Sequence, residues 1–198
     1  SFQLESADVI HSFWVPALGG KKDTNPGLSR NHYLKADEPG TYYGKCAELC
    51  GDSHALMDFK VKAVTPEEFD RWVAAMKAPL SAPASAAARE GEAIFKQNCI
   101  ACHAINDTET KQIAGGKLGP SLVDYANRST VAGILFNREP EDLKNNLKKW
   151  LLDPQAVKPG NLMPNPMPVK GSKMEQNLGL TEAQVDALVE YLAGQKQQ

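Results

Sequence analysis

The sequence predicts two domains of different structural class, an all-β domain followed by an all-α domain. The first part carries short β-branched and aromatic segments, such as TYYG at 41–44, separated by turn formers. The later part carries apolar residues at helical spacing. Between them lies KAPLSAPASAAA, a proline-, alanine- and serine-rich stretch typical of a linker. The predicted organisation is a domain at 1–76, a linker at 77–88 and a domain at 89–198.

Composition excludes several classes of function. The 198 residues carry a formal net charge of -2, which does not indicate a nucleic-acid partner. The longest apolar runs are short and interrupted by polar residues, so no membrane-spanning segment is expected. The N-terminus also lacks the layout of a secretory signal. If the protein is exported or membrane-bound, we expect the responsible segment upstream of Ser1 or in a partner.

One helix is expected in the β domain. Thr65 and Glu68 have the spacing of a capping box, and a proline occupies the first helical position between them. The helix should end near Met76. Trp72, which lies on it, is expected to pack against the domain, and His32 is expected at the surface.

The α domain should contain at least three helices. Helical spacing predicts them at 88–101, at 141–152, and after a capping box that begins at Thr181. Long irregular stretches at 104–120 and 153–180 separate them. Because loops of that length are uncommon in a small domain, they are expected to wrap something other than protein core.

The four cysteines form two tight pairs, Cys46 with Cys50 and Cys99 with Cys102. A histidine follows each pair within four residues. A disulfide framework distributes its cysteines over distant loops, whereas cofactor sites concentrate them. The pairs therefore indicate two cofactor sites.

The first cluster, CAELCGDSHALM at 46–57, combines two cysteines with His54 and Met57. Thiolate, imidazole and thioether are ligands that favour copper over magnesium, calcium or manganese. A blue one-copper site needs one cysteine and two histidines, so the extra cysteine leaves room for a second metal ion bridged by both sulfurs. His11, in SADVIHSFWVP, supplies the second histidine. A structural zinc site or a redox dithiol are the alternatives, but neither explains Met57.

DVIHSFWVP at 8–16 and PGTYYGKCAELCGDSHALM at 39–57 closely resemble the copper-binding domain of subunit II of haem-copper cytochrome c oxidases, over about residues 4–76. The resemblance implies a cupredoxin-like β-barrel that holds the binuclear CuA centre. In that family two cysteines bridge the coppers, and the ligand positions correspond here to Cys46, Cys50, His11, His54, Met57 and the backbone carbonyl of Glu48. The family's glutamate carboxylate, here Glu48, also reaches a magnesium or manganese ion at the boundary with subunit I.

The chain departs from that family in one respect. The barrel normally begins with strands upstream of the DVIHSF segment, and a two-helix membrane anchor precedes them. The N-terminal strands are missing here, so we expect them in a longer polypeptide or in another chain. Without them the sheet would have open edges.

The second cluster is CIACH, with Cys99, Cys102 and His103. This pattern is the attachment site of c-type haem, in which the thiols bond to the vinyl groups and the imidazole binds the iron. Its place at the end of a predicted helix, in a domain that a second capped helix closes, resembles class I cytochromes c. The segment GPSL at 119–122 resembles that family's loop in which a proline, here Pro120, supports the proximal histidine.

The sixth iron ligand is expected in the loop before the last helix. The segment KPGNLMPNPMP at 158–168 offers Met163 and Met167 in a proline-rich setting. Met163, in PGN-x-MP, resembles the pattern of oxidase-fused cytochromes more closely. Met163 is therefore the predicted axial ligand, and Met167 is the second choice.

The order of copper domain, linker and cytochrome domain resembles subunit II of oxidases that carry a fused cytochrome c. The resemblance implies electron transfer from an external donor through one covalent haem c to CuA and on to subunit I, where O2 is reduced to water with proton pumping. Subunit I and the other oxidase subunits are the implied partners, at the periplasmic face of the bacterial cytoplasmic membrane. No residue of this chain is expected to perform acid-base or nucleophilic catalysis.

Two rival functions remain. Nitrous oxide reductase has a similar CuA domain, but its catalytic cluster needs many histidines and this chain has four. The other rival is a structural zinc site joined to a cytochrome shuttle. Metal analysis discriminates it from the oxidase subunit.

Overall fold

The computed structural model of the chain describes residues 1–77, 82–106, 113–128, 130–137, 142–172, 174 and 176–196. Contacts between Cα atoms divide it into two compact units. The N-terminal unit comprises Ser1–Phe69 and Ala132–Leu135, and the C-terminal unit comprises Asp70–Val131 and Phe136–Gln198. Residues 78–81 of the predicted linker lie outside the described residues.

The N-terminal unit is built of strands, as the sequence predicts. They are β1 (Phe2–Leu4), β2 (His11–Trp14), β3 (Lys22–Thr24), β4 (Arg30–His32), β5 (Gly40–Cys46) and β6 (Asp58–Ala63). Four of them form an antiparallel sheet in the order β3-β2-β5-β6, and β1 pairs separately with β4. The register of β2 on β5 places Phe13 opposite Cys46. This pairing brings the start of β2 beside the end of β5.

Aromatic rings form part of the interior of this unit. Phe13 stacks on Phe59 with ring centroids 4.8 Å apart, and the His32 ring meets Phe13 edge-on at 5.9 Å. Gly44 lies beneath Phe59, where a Cβ atom would be 2.4 Å from the ring. His32 is only 8% exposed, so its predicted surface position is wrong. His32 is the one buried residue of β4, and its ring lies against Phe13 of the aromatic cluster.

The helix predicted after the strands is α1 (Pro66–Lys77). Its capping box is confirmed: the Thr65 N–H donates to the Glu68 carboxylate at 3.0 Å, and the Glu68 N–H donates to the Thr65 hydroxyl at 3.2 Å. The expected packing of Trp72 is wrong, because this side chain is 54% exposed and none of the helix residues is buried. Apolar spacing on a helix indicates a face, but it does not ensure that the face is covered.

The described helices of the C-terminal unit are α2 (Ala86–Asn98), α3 (Asp142–Leu152), α4 (Pro154–Val157) and α5 (Glu182–Ala193). Two-residue strands also form the antiparallel pairs β7 (Ile105–Asn106) with β8 (Ile113–Ala114) and β9 (Thr130–Val131) with β10 (Phe136–Asn137). Helix α2 starts two residues earlier than predicted, because the Ser85 hydroxyl accepts the Ala88 N–H and caps it. The capping box at Thr181 is confirmed.

Helices α2 and α5 pack against each other at very short range. A Cβ atom on Gly91 would lie 2.0 Å from the carbonyl oxygen of Ala187, so only glycine fits there. Beside this crossing, Phe95 and Tyr191 bury their rings with centroids 5.7 Å apart. Leu147 of α3 is also buried. Lys148 Nζ joins α3 to α5 by ion pairs with Glu182 and Asp186 at 2.8 and 2.7 Å.

Among the described residues, no helix has the length and apolar character needed to cross a bilayer.

Candidate metal and haem sites

Strand ends and one loop assemble the first site. Cys46 closes β5, His11 opens β2, and the loop between β5 and β6 carries Cys50, His54 and Met57. A short 3-10 turn at His54–Leu56 directs the end of this loop into β6. The structure thus brings all of the predicted copper ligands into one cluster.

The two cysteine sulfurs lie at the centre of this cluster, 3.8 Å apart. Each sulfur lies near one imidazole: Cys46 Sγ is 3.9 Å from His11 Nδ1, and Cys50 Sγ is 3.5 Å from His54 Nδ1. Ligand atoms of His11, Cys46 and Cys50 all lie within 4.8 Å of one another. The arrangement is a sulfur pair with an imidazole at each end.

Two weaker donors complete the cluster. Met57 Sδ lies 3.3 Å from Cys50 Sγ, and the backbone carbonyl oxygen of Glu48 lies 3.2 Å from Cys46 Sγ. The thioether is therefore on the Cys50 side and the carbonyl on the Cys46 side. Two thiolates, two imidazoles, a thioether and a carbonyl are a donor set suited to a pair of copper ions. That the Glu48 carboxylate binds a magnesium or manganese ion stays a prediction.

Asp8 belongs to the site, and the sequence reasoning missed it. Its carboxylate accepts a hydrogen bond from His11 Nε2 at 2.8 Å, while Nδ1 of the same ring faces Cys46. This bond lowers the pKa of Asp8. The pKa of His11 is raised, because the bonds with Asp8 and Cys46 outweigh the effect of burial. A carboxylate three residues before a ligand histidine was the signal that could have identified it.

The environments of the two thiols differ. Burial disfavours a thiolate at Cys46, but the backbone N–H groups of Ser12 and Glu48 stabilise it. The histidine imidazoles add to this effect, so the pKa of Cys46 falls to about 6. The pKa of Cys50 is raised instead, by burial and by the neighbouring Cys46 sulfur. A thiolate at one sulfur of the pair disfavours a second thiolate at the other unless a cation is bound.

This difference predicts the pH dependence of alkylation in the copper-free, reduced protein. Because only the thiolate reacts, the rate at Cys46 should rise with a midpoint near pH 6. The rate at Cys50 should rise only above the ordinary thiol range. Peptide mass spectrometry after timed iodoacetamide pulses measures both. Equal midpoints for the two cysteines would contradict this description of the site.

The second site follows the end of α2. The N–H groups of Cys102 and His103 donate to the Cys99 carbonyl at 3.1 and 2.9 Å, which folds CIACH into a tight turn. Burial, together with the neighbouring Cys102, raises the pKa of Cys99 to about 11. The turn therefore holds Cys99, Cys102 and His103 close together.

A second loop holds the His103 ring. His103 Nδ1 lies 2.8 Å from the Pro120 carbonyl oxygen, which is the contact that the GPSL segment led us to expect. Donation from Nδ1 leaves Nε2 available to a metal. Gly119 makes the approach possible, since a Cβ there would lie 2.4 Å from the ring. Sequence spacing and local structure therefore agree at this site.

Met163 and Met167 are both half-buried in the loop before α5. The Met163 N–H donates to the Asn161 side-chain oxygen at 3.0 Å. Asn165, between the methionines, is buried and its amide donates to the Ser172 hydroxyl at 2.8 Å. These bonds order the segment without distinguishing one thioether from the other, so the preference for Met163 stays a prediction.

Comparisons with known proteins address both sites. The family model for the periplasmic domain of cytochrome c oxidase subunit II matches residues 1–64, and the cytochrome c model matches residues 88–196. Cytochrome c oxidase subunit 2 of Alkalihalophilus pseudofirmus is 43% identical over 98% of this chain, and that of Bacillus sp. strain PS3 is 45% identical over 98%. The chain belongs to the cytochrome c oxidase subunit II family. It spans about half the length of these curated relatives, 51% and 52%.

Among solved structures, the periplasmic domain of oxidase subunit II of Bradyrhizobium japonicum is 44% identical, covers 36% of this chain and 52% of its own, and has a TM-score of 0.35. In the subunit II family the first domain implies CuA copper, and the cytochrome c domain implies haem. The two clusters described above are the residues of this chain that fit those groups.

Proposed function

We propose that this chain passes electrons from an external donor, by way of its haem unit, to its copper unit and then to subunit I of a respiratory oxidase. There O2 is reduced to water with proton pumping. The observation that carries the proposal is the pairing of a cluster of two cysteines and two histidines with a CIACH segment on one chain. Family membership supports it. The chain itself holds no O2-reducing residues in this proposal.

Each group has a defined set of proposed ligands. Cys46 and Cys50 would hold the copper pair, together with His11, His54, Met57 and the Glu48 carbonyl. Cys99 and Cys102 would hold the haem by thioether bonds, and His103 and Met163 would bind its iron. When bound, both groups supply one-electron redox chemistry. The Glu48 carboxylate is the proposed ligand of a magnesium or manganese ion at the boundary with subunit I.

The chain's residues have two functions in this proposal. The rigid loop around the sulfur pair fixes the donors, so that a change of charge requires little movement of the protein. The Pro120 carbonyl orients His103 in the same way. Connecting the two units through one chain raises the effective concentration of one redox site near the other.

The surroundings of the chain are also part of the proposal. We infer a periplasmic position at the bacterial cytoplasmic membrane, with subunit I, the other oxidase subunits and an external donor as partners. For the copper unit we propose a cupredoxin-like barrel. The division into 1–76, 77–88 and 89–198 is proposed on the same basis.

Stopped-flow reduction of the haem-loaded, copper-loaded chain tests the function. Rapid reduction of the haem should be followed by haem reoxidation as the copper bands bleach, at a rate independent of protein concentration. Copper-free protein is the control, in which the reduced haem should persist. A transfer rate proportional to protein concentration would contradict transfer within the chain.

Replacement of Met163 tests the axial ligand. Met163→Leu should remove the sixth ligand, convert the low-spin haem to high spin and lower its reduction potential, because a thioether raises the potential. Met167→Leu is the matched control and should keep the low-spin spectrum. Optical and magnetic spectra of both variants give the result. The opposite pattern would assign the ligand to Met167.

A further inference from the structure

Asp8 lies at the centre of a small hydrogen-bond network beside the copper site. One of its carboxylate oxygens accepts from His11 Nε2 at 2.8 Å, from the Val9 N–H at 2.7 Å and from the Ser6 hydroxyl at 3.2 Å. The Asp8 side chain is 64% exposed, whereas the His11 side chain is 22% exposed. These three donors, rather than burial, hold the carboxylate in place.

The bond to Asp8 determines which nitrogen of His11 carries the proton. A carboxylate accepts from Nε2 only when that nitrogen is protonated, and a neutral imidazole then has its lone pair on Nδ1. It is Nδ1 that lies 3.9 Å from Cys46 Sγ. When the ring is neutral, the network therefore presents the unprotonated nitrogen to the sulfur pair.

The two histidines of the cluster differ in this respect. His54 also presents Nδ1, at 3.5 Å from Cys50 Sγ. Within the described parts of the chain, however, no carboxylate bonds to His54. Asp8 thus acts on one end of the cluster only, the end that contains His11 and Cys46.

We infer that Asp8 is a positioning residue for the proposed copper pair: it fixes the tautomer of His11 and makes this imidazole a stronger donor than that of His54. The inference rests on the proposed function for the identity of the metal. A carboxylate behind a ligand histidine fixes the ring and raises its basicity. Stronger donation and a nearby negative charge both stabilise the oxidised cluster, so Asp8 lowers its reduction potential.

Two substitutions separate the hydrogen bond from the charge. Asp8→Ala removes both, whereas Asp8→Asn removes the charge and retains an oxygen that can accept from Nε2. Asp52→Asn is the matched control, because Asp52 is an exposed carboxylate in the loop between Cys50 and His54. All three substitutions are made in the haem-loaded chain.

The first measurement uses copper-free protein, in which nitrogen NMR of the imidazoles reports the tautomer directly. At a pH above the pKa of His11, where the ring is neutral, His11 should be almost entirely the Nε2–H form in the wild type and in Asp8→Asn, and a mixture in Asp8→Ala. An unchanged tautomer in Asp8→Ala would overturn the positioning role. This readout does not depend on the metal.

The second measurement uses copper-loaded protein, with copper counted before spectroelectrochemical titration. Asp8→Ala should bind copper about tenfold more weakly, the lower end of the effect of removing an outer-shell partner. Its reduction potential should rise by up to about 59 mV, which corresponds to a tenfold change for a one-electron couple. Asp8→Asn should show a smaller rise, and Asp52→Asn almost none.

The outcomes distinguish a failure of the role inferred for Asp8 from a failure of the proposed function. Equal potentials in Asp8→Ala and Asp52→Asn would overturn the electronic part of the inference, because a general charge effect would explain both. If the wild type binds no copper pair, the proposed function fails, whereas the tautomer measurement still decides the role of Asp8 toward His11.

Discussion

Cys46→Ser is expected to abolish the copper pair. Cys46 Sγ lies within 3.9 Å of His11 Nδ1, Cys50 Sγ and the Glu48 carbonyl oxygen, so its removal leaves no sulfur that links the two ends of the cluster. A hydroxyl is a hard donor and a poor substitute for a thiolate toward copper. The variant should lose at least one copper ion and the intense thiolate absorption bands. Copper analysis and optical spectra measure both.

Cys50→Ser is the matched partner of this change, because Cys50 Sγ has the equivalent place beside His54 and Met57. It should produce the same loss. The haem spectrum is the internal control and should not change in either variant, since the haem attaches at Cys99 and Cys102. Retention of a copper pair with wild-type bands in either variant would show that the sulfurs do not bridge it.

Gly91→Ala is expected to destabilise the C-terminal unit strongly. In an open helix this change would stabilise by about 1 kcal/mol. Here the new Cβ would lie 2.0 Å from the Ala187 carbonyl oxygen and 2.6 Å from its carbon, which are backbone atoms that cannot rotate away. Overpacking typically costs about 1–3 kcal/mol, and we expect about 3 kcal/mol here because helices α2 and α5 must separate.

The thermal midpoint of the haem unit measures this effect. At about 4–8 °C per kcal/mol for a domain of this size, Gly91→Ala should lower Tm by more than 10 °C. Gly194→Ala is the control, because its Cβ would meet only helix-end carbonyl oxygens, the nearest at 3.3 Å. A Tm for Gly91→Ala within about 2 °C of the wild type would show that the helices are not in such close contact.

Residue spacing in the sequence indicated which side chains come together in each cluster, because most of them concentrate in short segments. The copper loop and CIACH each lie within one turn region, and local backbone geometry suffices to bring their ligands together. His11 is different. Its position beside Cys46 depends on the pairing of β2 with β5, which residue patterns did not predict. His11 was a candidate because the cluster needs a second histidine.

The sequence analysis failed where packing between distant segments decides the outcome. His32 was expected outside, yet the direction of β4 places it on Phe13. Trp72 was expected inside, yet α1 buries none of its residues. The contact of Gly91 with Ala187 joins positions 96 residues apart and has no local signal. For His32 and Gly91 the decisive neighbour lies far away in the chain.

Asp8 shows a further limit of reasoning from ligand types. Copper prefers soft donors, so a carboxylate three residues before His11 was not considered part of the site. The hydrogen bond from His11 Nε2 nevertheless places Asp8 directly behind the ligand. Groups that act through a ligand become evident only when side-chain positions are known.

Copper and iron analysis, together with optical spectra of the oxidised and reduced protein, measures whether the chain holds a copper pair as well as a c-type haem. We expect about two coppers for each haem iron, thiolate-to-copper bands that bleach on reduction, and a low-spin spectrum of c-type haem. Zinc, or a single copper ion, at the Cys46 and Cys50 site would contradict this expectation. The chain would then hold a cytochrome beside a metal site that is not CuA.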